Sequence, residues 1–122
     1  TKQKRRHISL ANSFVNKKAD LTSTSATTLY TVPDATTAII KSILVSEDSG
    51  NADTITVTIT DTSDAVFSLF KTKSISANGT TELLTAPLVL QQNEVLKVTA
   101  ATANRLHVIL SALQSKPREV IT

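Results

Sequence analysis

The chain's acid–base groups are two histidines, ten carboxylates, thirteen basic side chains and one tyrosine, and their spacing decides which chemistries are open. Glu47, Asp48 and Asp53 flank one glycine-containing break, and Asp61 and Asp64 bracket Thr62-Ser63. A calcium ion takes about six to eight oxygens, and such loops can supply some of them. Neither spacing is that of an EF-hand loop, so both groups read as turn carboxylates. His7 lies among basic residues and His107 within an apolar run, neither with a partner motif. No HExxH, P-loop, GxSxG or GxGxxG pattern occurs. Two glycines are too few for phosphate-cradling loops. Absence of cysteine removes thiolate metal sites, disulfides and cysteine nucleophiles together. Carboxylate pairs for glycoside hydrolysis usually come with aromatic sugar platforms, and this chain has one tyrosine and no tryptophan. The expectation is a protein that is not an enzyme and carries no cofactor and no metal.

What remains is charge. Lys2, Lys4, Arg5, Arg6, Lys17 and Lys18 fall within the first eighteen residues, beside His7 and without one acidic residue. The remaining seven basic residues face all ten acidic ones, so residues 19–122 carry a formal −3. A segregated basic arm on an acidic body marks attachment to something large. Ile8, Leu10, Phe14 and Val15 are interspersed with the charges, which favours docking on protein over a phosphate backbone. Nucleic acid is not the expected partner, because the body is acidic and its strands lack stacking aromatics.

These groups have to be positioned by strands. Thr54-Ile55-Thr56-Val57-Thr58-Ile59-Thr60 alternates without interruption, placing three aliphatics on a core face and β-branched threonines outside. Eight strands are predicted, at about 20–24, 27–32, 36–46, 54–61, 65–71, 80–85, 95–100 and 105–113. Pro33-Asp34, Ser49-Gly50-Asn51, Asn78-Gly79, Gln91–Glu94 and Thr102–Asn104 break them apart. Asn78-Gly79 is the strongest hairpin signal, of the type I′ kind. It also accounts for the glycosylation-like triplet Asn78-Gly79-Thr80. The predicted fold is all-β: an antiparallel β-sandwich, jelly-roll or Ig-like, over 19–114, with an extended basic arm over 1–18 and a tail over 115–122.

Two strands are apolar on both faces. Simple alternation puts Ile39, Ile43 and Val45 on one side of their strand and Ile40 and Leu44 on the other. In the last strand Leu106, Val108 and Leu110 oppose Ile109 and Leu113. Ile40, Leu44, Ile109 and Leu113 are therefore the candidates for contact with another copy, and a homo-oligomer, trimer or dimer, is expected. A core with four aromatics and no Trp or Met gains from such help. No apolar run approaches the ~20 residues of a membrane span, and the N-terminus lacks the apolar stretch of a signal peptide. No membrane partner is expected.

Leu29-Tyr30-Thr31-Val32-Pro33 followed by Thr37-Ala38-Ile39-Ile40-Lys41-Ser42-Ile43-Leu44-Val45 resembles the opening of the β-domain in small virion structural proteins of tailed bacteriophages. Leu96–Ala100 and Asn104–Val108 are similar to their closing strands. The likeness spans about 27–113, leaving out the arm and the tail. It implies a non-enzymatic β-sandwich in a virion, made in the host cytoplasm and partnered by the major capsid protein or another virion protein. Two roles are compatible with it. One is a capsid decoration (cement) protein whose arm, Lys2, Lys4, Arg5, Arg6, His7, Leu10, Phe14, Val15, Lys17 and Lys18, bridges capsid subunits. The other is a head–tail connector, tail or fibre component, host-contacting through its loops.

Overall fold

The computed structural model describes residues 6–121, with side chains described from 10 to 117. Among the described residues nine strands alternate with turns: β1 (Arg6–Asp20), β2 (Thr27–Thr31), β3 (Thr37–Glu47), β4 (Asp53–Thr60), β5 (Val66–Ile75), β6 (Thr80–Glu82), β7 (Leu88–Leu90), β8 (Val95–Ala100) and β9 (Leu106–Ile121). No helix forms among the described residues. One sheet runs β1-β9-β3-β6, with β7 also on β3, and the other β2-β8-β4-β5; all pairings are antiparallel. The pairs are nested: β1 with β9, β2 with β8, β3 with β6 and β7, β4 with β5. The chain is doubled on itself and rolled into two layers, so the expected sandwich is present and its wiring is that of a jelly roll.

Rolling makes most turns cross between sheets. Asn78-Gly79 leads from β5 in one sheet to β6 in the other, so it is a corner and not a hairpin. Its turn is closed by the Gly79 N–H donating to the Ser76 carbonyl at 3.0 Å, with Asn78 alone at positive φ, 55°. Type I′ would need positive φ at two central residues, which this turn lacks. Gly79 is needed for room, since a Cβ there would lie 3.1 Å from the Ser76 carbonyl oxygen.

The core lies between the sheets and is aliphatic around one large side chain, Tyr30, 2 % exposed. Strand β4 buries Ile55, Val57 and Ile59 as its alternation requires, and β8 buries Leu96, Val98 and Ala100. In β2 a register shift between Thr28 and Tyr30 lets both Leu29 and Tyr30 point inward. Gln114 Nε2 donates to the Tyr30 hydroxyl at 2.6 Å, satisfying the one polar atom that this ring carries into the interior.

Three sequence expectations shift. Residues 21–26 form no strand and bend at 23–25, and the first strand lies upstream, running through most of the basic arm to Asp20. This strand takes up the N–H and C=O groups along a side of β9 that would otherwise be an unpaired edge. Strand β9 in turn continues through the expected tail to Ile121. Pro117 is accommodated because β9 beyond Ser115 pairs on one side only. The third shift is in β3. A bulge between Ile40 and Ser42 sets Lys41 outside the ladder, and the face pattern changes phase there. Ala38 and Ile40 point inward before it, Ile43, Val45 and Glu47 after it. Ile39 and Leu44 therefore share the outer face.

Candidate interaction surface

The outer face of the five-stranded sheet is read from register, because directly paired residues point the same way. Across β1, β9, β3 and β7 one row is Phe14, Leu113, Ile39 and Val89. The row toward the other end of the strands, across β1, β9, β3 and β6, is Lys18, Ile109, Leu44 and Glu82. Between them lie Asn16, Ser111 and Ser42, small and polar. Phe14 is 82 % exposed, Val89 53 %, Ile109 42 % and Leu44 38 %. Exposed apolar rows of this kind, bordered by polar residues, are the surface feature that marks interaction sites on small domains.

Of the predicted oligomer residues, Leu44, Ile109 and Leu113 lie on this face. Ile40 does not: it is fully buried, because the Lys41 bulge turns it inward, and Ile39 takes its place. Ile39 and Val89 were not singled out from sequence. The signal for Ile39 was two apolar doublets, Ile39-Ile40 and Ile43-Leu44, at a spacing that no unbroken period of two can place on one core.

The arm residues separate. Lys2, Lys4 and Arg5 lie outside the described residues. Arg6 and His7 take ladder positions opposite Ile121 and Val120. Leu10 is exposed on the outer face opposite Pro117. Val15 instead packs on the chain's own core with Ala19. Lys17 extends over the Tyr30 ring with Nζ 5.9 Å from its centroid, the distance of a weak cation–π contact. Lys18 is exposed at the edge of the apolar rows. Residues 6–11 and 116–121 pair only with each other, so a two-stranded ribbon projects beyond the body of the sheet. At ~3.3 Å per residue its six residues per strand reach about 20 Å.

The carboxylates serve the fold. Glu47, 2 % exposed, accepts from the Ser49 hydroxyl and from the N–H groups of Ser49, Gly50 and Asn78. Burial pushes its pKa up, but these donors outweigh burial and hold it at about 2 against an ordinary 4.5. The carboxylate thus ties two inter-sheet corners together. Asp61 accepts from Ser63 and Ala65 within the β4–β5 turn, and the Ser63 hydroxyl leads the groups that hold its pKa low. Glu82 is raised by burial and lowered further by the Ser42 hydroxyl and the N–H groups of Ile43, Leu84 and Leu83, with a net fall. His107, on the outer face, sits 3.2 Å from Asp20 and 3.7 Å from Asp48. No group of three or more ligand-type side chains able to hold a metal ion occurs among the described residues.

A second exposed feature lies on the other sheet. Strand β5 is an edge, and Val66, Phe67 and Leu69 are exposed along it. A shallow cleft of roughly 240 Å³ runs beside it, lined by Leu69, Phe70, Leu83, Leu84 and Leu88 among others.

No protein-family model matches this chain, and no curated protein matches it by sequence. Comparison with solved structures gives three similar chains. A chain in the acid-stable capsid structure of Helicobacter pylori bacteriophage KHP30 is 15 % identical with a TM-score of 0.53, over 97 % of this chain and 98 % of that one. A chain of the Bacillus endospore appendages, described as disulfide-linked pili, is 10 % identical with a TM-score of 0.50, over 92 % and 89 %. A chain in the capsid of cyanophage Pam1 is 16 % identical with a TM-score of 0.37, over 92 % and 86 %. For the KHP30 and endospore-appendage chains, at these identities, the likeness is one of fold.

Proposed function

We propose that this chain is a non-enzymatic structural protein of a tailed-bacteriophage virion, and within the virion a capsid decoration protein. The observation that carries the reading is the β1–β9 ribbon. It brings the basic N-terminal segment and Lys116, Pro117 and Arg118 together on one projection beyond the sheet. Lys2, Lys4, Arg5 and Arg6 then precede or enter that ribbon in sequence, where they meet carboxylates of the major capsid protein by charge-assisted contacts. Leu10, 66 % exposed at its base, supplies an apolar anchor. The end-to-end likeness in fold to a chain of a phage capsid structure supports this reading, as does the sequence resemblance over 27–113. The protein acts as a homo-oligomer, dimer or trimer, through its apolar sheet face.

A second reading within the virion is a tail or fibre component, and the likeness to a chain of a fibrous appendage favours it. That appendage is described as disulfide-linked, a device this cysteine-free chain lacks. Copy number separates the two. Quantitative mass spectrometry of purified particles against the major capsid protein should give a count comparable with the capsid subunits for decoration. A handful of copies per particle would move the chain to the neck or tail, and absence from particles would sink both.

A further inference from the structure

The outer sheet face is not apolar at random; its two rows are ordered from end to end. One runs from the largest exposed side chain to a small one: Phe14, Leu113, Ile39, Val89. The other runs from a cation to an anion: Lys18, Ile109, Leu44, Glu82. A row with opposite ends is complementary to its own reverse. Two sheets that stack face to face can be related by a two-fold axis lying in the interface plane. If that axis is parallel to the strands, between β9 and β3, each row meets its own reverse. Lys18 of each copy then faces Glu82 of the other, Phe14 faces Val89, and the aliphatic pairs meet in the middle. An axis across the strands, midway between the rows, would instead set each Lys18 against Phe14 and each Glu82 against Val89, with no charge pair.

We propose that a second copy of this chain covers this face, the two five-stranded sheets packing about that strand-parallel two-fold. The proposal rests on the reading that the chain self-associates and names the surface and symmetry. Four strands at ~4.8 Å spacing and about ten residues of shared β3 ladder give roughly 600 Å² per copy, about 1,200 Å² in all. That is at the lower bound of stable specific interfaces. Near-parallel alignment of stacked sheets, offset by about 30° through their twist, is the ordinary geometry for such packing. The bulge at Lys41 is what makes the face: without it Ile40, not Ile39, would occupy the apolar row.

The test uses the full chain. Light scattering at micromolar concentration should show a dimer. Phe14→Val and Val89→Phe should each weaken it by about tenfold, one by loss of an aromatic anchor and one by crowding. The double variant should recover most of that loss, because the exchanged pair again matches across the axis. Both positions are exposed in the single chain, so thermal melts at dilute concentration should stay close to the parent's. Since the chain has no cysteine, a Phe14→Cys chain mixed with a Val89→Cys chain should be joined by a short bismaleimide. Neither chain alone should cross-link to itself. A monomer at every concentration, a trimer, a double variant no better than the singles, or self-cross-linking of the Phe14→Cys chain would each overturn the proposal. None of these outcomes alters the count of copies on particles, so the virion reading is judged separately.

Discussion

Replacing Ile40 and Ile39 by alanine, one at a time, tests the bulge on which the apolar face depends. The two residues are adjacent in β3, but Ile40 is fully buried while Ile39 is half-buried on the outer face. Ile40→Ala empties a space enclosed by the aliphatic core, and large-to-small changes there cost about 2–5 kcal/mol. Ile39→Ala loses partly hydrated methyl groups and some strand preference, about 1 kcal/mol or less. Urea unfolding read by far-ultraviolet circular dichroism resolves the difference. With a slope of about 1–3 kcal/mol per molar, Ile40→Ala should lower the midpoint by roughly 1–2 M and Ile39→Ala by well under 1 M. The measurement belongs at dilute concentration, where self-association contributes nothing. Uninterrupted alternation demands the reverse ranking, because it groups Ile39 with Ile43 and Val45. A cost for Ile39→Ala equal to or above that for Ile40→Ala would refute the bulge and the face derived from it. Deleting Lys41 is the companion experiment: it removes the extra residue and runs the Ile40–Ala112 and Ser42–Ser111 pairs together in one unbroken register, so every core side chain keeps its face and the fold should persist, whereas in a strand without a bulge the same deletion would turn one half inside out.

Acid should weaken the fold through Glu47. Its folded pKa, about 2, lies below the ordinary 4.5, so its contribution is present above about pH 5 and is lost as pH falls toward 2. Asp61 and Glu82 shift in the same direction. The urea midpoint of Glu47→Gln should therefore be lower than the parent's at neutral pH and flatter between pH 5 and 2. Tyr30→Phe leaves the Gln114 amide without its acceptor and should cost about 1 kcal/mol, read as a melting point lowered by roughly 3–6 °C. Removing residues 1–9 retains Val15 and Ala19 on the core, so the fold should persist while particle binding is lost. Removing residues 1–18 strips β9 of most of its partner strand and should destabilise the body severely, as calorimetry of the two truncations would show.

Where one rule governed a segment, the sequence was enough. Strands β4 and β8 alternate because each has one core face, and their buried residues follow from the pattern alone. Two kinds of information were not local. The first was strand insertion: β1 forms because β9 offers it an unpaired edge, and nothing within Lys2–Lys18 says that such an edge exists. Charge made those residues look like a free arm, yet Val15, with Ala19 just beyond them, packs half-buried against the core. The second was the topology of turns. Asn78-Gly79 does mark a reversal, but a turn residue reports local φ and not whether the next strand joins the same sheet. The candidate surface was half readable for the same reason. Leu44, Ile109 and Leu113 follow from two-faced strands, whereas Ile39 needs the bulge and Val89 needs the pairing of β7 with β3.

The β5 edge is one reason for association to use a face. Strand β5 is an open edge, and edge pairing between copies is the common hazard of sandwich folds. Here its ladder with β4 is broken twice, between Ile55 and Val57 and between Val57 and Thr58, and Lys71 and Lys73 stand on the same strand. Bulges and lysines together make a poor template for another strand over that half. The opposite half, Val66–Leu69, is too short to hold a copy by backbone hydrogen bonds alone. Head-to-tail pairing of unlike edges also has no built-in end, whereas two faces related by a two-fold exhaust each other. On the proposed reading of a decoration protein, a fixed, small assembly needs the closing kind of contact. The guarded edge and the ordered apolar face are two parts of that one requirement.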